Sequence, residues 1–345
     1  MNSLRNISVI FSSYYVSRFY YSCMKLPKAV KNRRNMSTSQ WSNLKELRIP
    51  VAYGHIAAKV WGEKQSHPVL ALHGWQDNAG TFDTLIPLLT SKLYIVAFDA
   101  PGHGLSSHKP YGTFYHYMEM LIDIKRVVDY LKWEKFSIVG HSMGGTLALM
   151  YASIFPENVC NIVLLDIIKP ASRSPERLPE VTRRGIESLL KYEAKIPNPT
   201  PVYSFEEAQE RLLAGMYEEI TLESANILLK RGCRPSDCGK GVVFSRDIRV
   251  KATEELQKLS HEDLKAFMCR LKCNLLIILG KNSKIFLSRT PEVLEEFLNI
   301  YRHNCKNFDL VKVEGNHFVH LNHPDRVAPY IDKFFKMHIS EISKL

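Results

Sequence analysis

The chain has no run approaching the roughly 18 consecutive apolar residues of a membrane-spanning helix, so the sequence argues against a membrane span. It contains no His-x-Glu-x-x-His or comparable ligand spacing and no Gly-x-Gly-x-x-Gly. The common zinc-hydrolase and dinucleotide-binding signatures are therefore missing, and neither a metal nor a cofactor is implied. Its cysteines, at 23, 160, 233, 238, 269, 273 and 305, are odd in number and form no Cys-x-x-Cys pair. That usage fits a reducing compartment without a disulfide framework or a zinc site. Acidic residues are missing from the start of the chain, where none precedes Glu46. Seven of the 46 lysines and arginines fall within residues 1–40, at Arg5, Arg18, Lys25, Lys28, Lys31, Arg33 and Arg34. The formal charge of +11 is thus largely a property of the tail. The body is only mildly basic and holds no concentrated stripe, so nucleic acid is not an expected partner.

Residues 1–44, basic and rich in Ser, Asn and Tyr, resemble a mitochondrial presequence. The alternatives are an unstructured tail, or an upstream extension bypassed by starting at Met24 or Met36. The other end carries Ser343-Lys344-Leu345, which in terminal position is a peroxisomal address read by an import receptor. The expected location is the peroxisome, with mitochondrion or cytoplasm as alternatives.

From residue 45 the pattern changes. Leu47–Ala52 and His55–Trp61 flank Tyr53-Gly54 and read as a β-hairpin. Val69–Leu72, Leu93–Phe98, Phe136–Val139 and Ile162–Leu165 are apolar runs without polar alternation, as suits parallel strands covered on both faces. Between them, Met118, Leu121, Ile122, Lys125, Val128 and Leu131 mark a helix at three- and four-residue spacing. This alternation predicts a doubly wound, mostly parallel α/β sheet. It breaks after Asp166 and resumes only at Leu275–Leu279. Capping-box signatures at Ser204–Glu207 and Ser260–Asp263, with prolines at 197, 199 and 201, predict helices in between. The expected organisation is a tail over 1–44, a core over 45–168 and 273–342, a helical cap over 169–272 inserted between strands 6 and 7, and the tripeptide 343–345. A helix from Pro291 to about Tyr301, a strand Phe308–Val313 and a helix from Pro324 to about Met337 close the core.

The chemistry centres on Gly140-His141-Ser142-Met143-Gly144-Gly145, placed between a β-branched strand and the helical run Thr146–Ala152. This is the build of a nucleophile elbow, in which a serine sits on a strained strand-to-helix turn. A Cβ at position 140 or 144 would clash with the neighbouring strand or helix at so sharp a turn. A serine hydroxyl needs a positioned base. On such a sheet the base arrives late in the chain, and Gly315-Asn316-His317 follows the last strand, which selects His317. His320 and His323 read as packing or surface residues. The oxyanion hole would use the backbone N–H of Met143 and, from the loop after Val69–Leu72, that of Trp75. For the third member the usual position, in Gly280-Lys281-Asn282-Ser283, holds no carboxylate. Asp166 is the best alternative, and its rival reading is a structural residue at the cap hinge.

His73-Gly74-Trp75…Asp77-Asn78, Phe98–Ser106, Gly140–Gly145 and Gly315-Asn316-His317 together resemble the α/β-hydrolase superfamily. Leu165-Asp166, Val243–Asp247 and the terminal Ser-Lys-Leu make the chain most similar to the serine hydrolase-like proteins, the group that includes insect kraken. The resemblance spans about residues 45–335. It implies a peroxisomal or vesicular serine hydrolase of undefined substrate. With Ser142 at the elbow and no metal or dinucleotide motif, the leading reading is cofactor-free hydrolysis of a small or acyl ester or thioester through an acyl-enzyme. The alternative is a non-catalytic ligand-binding protein of hydrolase ancestry.

Overall fold

The computed structural model describes residues 44–172, 175–252, 259–284 and 291–342. The expected presequence and the terminal tripeptide lie outside the described residues. The predicted hairpin is present as β1 (Lys45–Val51) and β2 (Gly54–Trp61), paired antiparallel. Six further strands complete the sheet: β3 (His67–Leu72), β4 (Leu93–Phe98), β5 (Phe136–His141), β6 (Val159–Leu165), β9 (Asn274–Gly280) and β10 (Asn307–Val313). Their order is β1-β2-β4-β3-β5-β6-β9-β10, and every pairing from β4 onward is parallel.

Two cores follow from the two-residue period of the strands. Leu70, Leu72, Val96, Phe98, Ile138, Ile162, Leu164, Leu275 and Ile277 point into one apolar cluster. Their neighbours Val69, Ala71, Ile95, Ala97, Val139, Val163, Leu276 and Ile278 point into the other. Both faces are buried, which is why these strands carry no polar alternation. The first cluster is shared with α1 (Tyr117–Leu131), α2 (Met143–Ile154), α6 (His261–Met268) and α7 (Pro291–Asn304). The second is closed by residues 79–89 and by α9 (Ala328–Ile342). Truncating a fully buried member such as Ile277 to alanine should cost about 2–5 kcal/mol.

Helix α1 forms where expected, but with a rotated face. Met120, Leu121, Ile124, Val127 and Val128 are buried, whereas Met118 and Ile122 are exposed. The stripe 120/121/124/127/128 keeps the helical period as well as the expected one did and carries no lysine, so burial selects it. The closing helix also differs. A four-residue helix α8 (Val319–Asn322) and a 3₁₀ turn at Pro324–Arg326 precede α9, which starts at Ala328.

Between β6 and β9 the chain leaves the sheet for α3 (Leu178–Glu193), α4 (Phe205–Gly215), α5 (Leu222–Gly232), a small hairpin β7 (Cys233–Pro235) and β8 (Val242–Phe244), and α6. Both capping boxes are formed, at Ser204/Glu207 and Ser260/Asp263. Helix α6 does not behave as part of a separate cap. Its Leu264 and Met268, with Leu271 beyond, enter the main core, so the sheet-flanking layer resumes before the expected boundary at 272. None of the described helices is long and apolar enough to cross a membrane.

The inserted segment is tied down by a buried ion pair that no local pattern signals. Arg231 of α5 forks onto Asp99, with its Nη2 2.7 Å from Oδ2, and also reaches Glu46. Asp99 accepts the N–H groups of Ala79 and Leu105 as well, so the carboxylate is fully partnered out of water.

Candidate active site

Ser142 sits where β5 turns into α2, at φ 50° and ψ −113°, a conformation side chains rarely adopt. The turn is enforced by its surroundings. Ser142 N–H donates to Leu165 O of β6 at 3.2 Å. A Cβ on Gly144 would stand 2.1 Å from Leu72 O, and one on Gly140 would stand 2.6 Å from Gly144 O. Both glycines are therefore demanded by close backbone approach, the first by β3 and the second by α2. The seryl side chain caps nothing and makes no hydrogen bond to a described residue, so Oγ is held at the helix N-terminus and kept free.

The three residues expected to work together come from three loops at one edge of the sheet. Asp166 ends β6 at φ 52°, with its N–H on Ile278 O at 2.8 Å. Its carboxylate is fully buried and accepts three hydrogen bonds. Oδ1 takes the Gly280 N–H at 2.7 Å, and Oδ2 takes the Ser283 hydroxyl and His317 Nδ1, each at 2.6 Å. The imidazole of His317 is thereby fixed in the tautomer that leaves Nε2 as the base. Ser142 Oγ and His317 Nε2 are not hydrogen-bonded in this state. Such contacts are often long in the free form of a hydrolase and close in the complex.

Glu218, from the inserted segment, is a buried residue that motif reasoning missed. Its Oε2 accepts the backbone N–H of His317 at 3.0 Å and its Oε1 that of Lys284 at 2.6 Å. One carboxylate therefore clamps both loops that flank Asp166. Around it, Ile220, Ala225 and Leu228 pack on Phe318 and Leu321, just past the histidine. The sequence shows only an acid in a helical region. Nothing local says that it reaches a loop about a hundred residues away.

The loop expected to supply the second oxyanion donor is held by two histidines. His73 donates Nδ1–H to Gly74 O at 2.7 Å and accepts the Ala100 N–H at Nε2. His103 accepts the Gln76 N–H at Nε2 and donates from Nδ1 to Pro101 O. Burial lowers the pKa of both, so they stay neutral in these roles. Gly74 has no room for a side chain, since a Cβ would stand 2.7 Å from the His141 ring. The Trp75 backbone thus runs beside the elbow, while its indole donates to Val250 O of the insertion at 2.8 Å. Met143 opens α2 directly after the serine.

His320 proves to be fully buried and His323 half-buried, as packing residues would be. His320 stacks on His141 with ring centroids 4.1 Å apart, and with Asp77 the pair forms the one group of potential metal ligands among the described residues.

This arrangement, a serine on a strained elbow with an Asp–His pair across a mostly parallel sheet, defines a hydrolase of the α/β type. The sequence pattern of the alpha/beta hydrolase fold family matches residues 67–324, and the chain belongs to that family. Within it the serine hydrolase-like proteins are similar to this chain along most of its length. A probable serine hydrolase of Drosophila melanogaster is 37% identical over 84% of this chain and 87% of its own. A serine hydrolase-like protein of Danio rerio is 36% identical, over 90% of this chain and 94% of its own. Among solved structures, a hypothetical protein of Pseudomonas aeruginosa superposes with a TM-score of 0.75 at 29% identity, covering 84% of this chain and 99% of that chain.

Proposed function

We propose that the chain hydrolyses a small or acyl carboxylic ester or thioester through an acyl-enzyme on Ser142. The observation that carries this reading is the 2.6 Å hydrogen bond from His317 Nδ1 to the buried Asp166 carboxylate. It supplies an acid that the sequence pattern lacks at 283, and it selects the productive tautomer. In the first half-reaction Ser142 Oγ adds to the carbonyl carbon while its proton passes to His317 Nε2. The oxyanion is held by the N–H groups of Met143 and Trp75. Collapse breaks the bond to the leaving alcohol or thiol, which takes the proton from Nε2. Water then repeats the sequence and frees the acid. Asp166 stays ionised throughout and stabilises the imidazolium. The inserted segment reaches this site through Glu218, which accepts the His317 N–H, and through Val250 O, which accepts the Trp75 indole N–H.

Ser142→Ala and His317→Ala should each abolish turnover of short p-nitrophenyl esters and thioesters while preserving the fold by circular dichroism, since members of such a unit fail together. Ester turnover retained by either variant would remove the reading.

We also propose that Ser343–Leu345 directs the protein to peroxisomes. An N-terminally tagged chain lacking the tripeptide should leave that compartment with its activity intact in vitro. Import that persists without the tripeptide would refute this.

A further inference from the structure

Behind the elbow, three buried side chains, from the loop after β3, the end of β5 and the short helix after β10, come together with an unpartnered atom on each. Asp77 Oδ2, His141 Nδ1 and His320 Nδ1 are sealed from solvent and have no hydrogen-bond partner. The ligand atoms of these three residues all lie within 4.8 Å of one another, with Asp77 Oδ2 and His141 Nδ1 at 4.0 Å. A buried polar atom left unpaired costs on the order of 1–3 kcal/mol, so three facing each other call for a common partner.

The far side of each group shows what that partner must be. His141 Nε2 lies 3.0 Å from His317 O, and a carbonyl only accepts, so Nε2 carries the proton and Nδ1 offers a lone pair. His320 Nε2 lies 2.9 Å from Thr81 Oγ1, and in the tautomer that donates from Nε2 to this hydroxyl its Nδ1 offers a lone pair too. Asp77 Oδ1 accepts the Asn78 N–H at 2.8 Å, which leaves the lone pairs of Oδ2 facing inward. With Asp77 ionised and His320 in that tautomer, the result is three acceptors and no donor. One shared proton would satisfy a single contact. A divalent cation would satisfy all three.

We propose that Asp77, His141 and His320 form a binding site for a divalent transition-metal cation of the zinc type, with two imidazole ligands and one carboxylate. The surrounding contacts match what such ligands need. A metal-bound histidine almost always donates its other N–H to a carbonyl or another oxygen, as His141 does to His317 O and as the Thr81 hydroxyl allows for His320, and a ligating carboxylate is itself hydrogen-bonded. Zinc holds imidazole nitrogen at about 2.0–2.1 Å, so the three side chains close inward by roughly an ångström on binding. The cation joins the loop after β3, the end of β5 and the short helix after β10. It fixes the frame of the site and touches no reacting atom. His141 reaches the His317 carbonyl, so the cation braces the loop that bears the base. The claim is independent of acyl-enzyme chemistry, and Ser142→Ala should bind the metal as wild type does.

The test is a cobalt(II) titration of the full chain after dialysis against a chelator. One equivalent should bind, with the intense visible bands of low-coordinate cobalt, and zinc should displace it. Asp77→Asn and His320→Gln, checked for folding by circular dichroism, should each weaken binding at least a hundredfold. Failure of the folded wild type to bind cobalt, or binding by both folded variants as tight as wild type's, overturns the proposal. If a variant fails to fold, nitrogen-15 spectra of wild-type imidazoles decide. Zinc must shift the Nδ1 resonances of His141 and His320, and unmoved resonances also overturn it.

Discussion

Ser283 donates its hydroxyl proton to Asp166 Oδ2 at 2.6 Å, the same oxygen that receives His317 Nδ1. The position where the sequence pattern lacks a carboxylate is thus spatially next to one supplied by the neighbouring strand. β6 and β9 are adjacent and parallel, so the loops following them end side by side. An acid on either can meet the same histidine.

This relationship makes a rescue experiment possible. Asp166→Asn keeps the volume but no longer selects the tautomer, and kcat for an ester should fall roughly 10⁴-fold, as when a triad aspartate is amidated. Ser283→Ala removes one hydrogen bond to a charged group, worth about 1.5–3 kcal/mol, and should cost tenfold or somewhat more. Adding Ser283→Asp to Asp166→Asn should recover a measurable part of the activity. Near-normal turnover by Asp166→Asn would contradict the assignment and leave Asp166 a brace between the strands.

Glu218 gives a second prediction. Its carboxylate holds the N–H groups of His317 and Lys284, so Glu218→Ala leaves two backbone donors, that of His317 buried, without their acceptor. We expect kcat to fall about tenfold, with KM little changed. Glu218→Gln keeps one carbonyl oxygen as acceptor and should lie between the two. Steady-state kinetics checks the order. Wild-type kcat in Glu218→Ala would show that the clamp does not position the base.

Stability should depend on pH through buried imidazoles. Burial lowers His67 to about 4 and His320 to about 3, and it also lowers His73, His103 and His141. The unfolded chain, with histidine pKa near ~6.5, binds more protons than the folded one below that value, so stability falls as pH drops toward about 4. Asp77 acts in the opposite sense. Burial pushes its carboxyl up to about 7, so its contribution is present at low pH and is lost as pH rises through neutrality. Five groups outweigh one. Urea midpoints should therefore decline steadily from about pH 6.5 to 4.5, and a flat profile over that interval would contradict the account.

Much of this molecule is legible in its sequence, and the limits have physical causes. Apolar runs mark the inner strands because burial on both faces excludes an alternating polar set; the polar Ser137, Asn161 and Asn274 sit near the strand starts and hydrogen-bond one another. The elbow is legible because two glycines are forced by backbone contact at Leu72 and Gly144. His317 follows from its place after the last strand. Asp166 remained one of two readings, since only the pairing of β6 with β9 brings it beside Ser283. Glu218, the Arg231–Asp99 pair and the Asp77–His141–His320 cluster were not legible at all. Each joins residues far apart in the chain, and no period or local motif encodes such a meeting. The hairpin β7–β8 was missed because its three-residue strands are too short to show an alternation.

The most direct test of the central claim is intact mass spectrometry after exposure to a fluorophosphonate, with peptide mapping of the adduct. The account predicts one adduct per chain, on Ser142, formed by the wild-type protein, slowed severely by His317→Ala and lost in Ser142→Ala. Absence of an adduct on folded wild type, or equal labelling of wild type and Ser142→Ala, would contradict it.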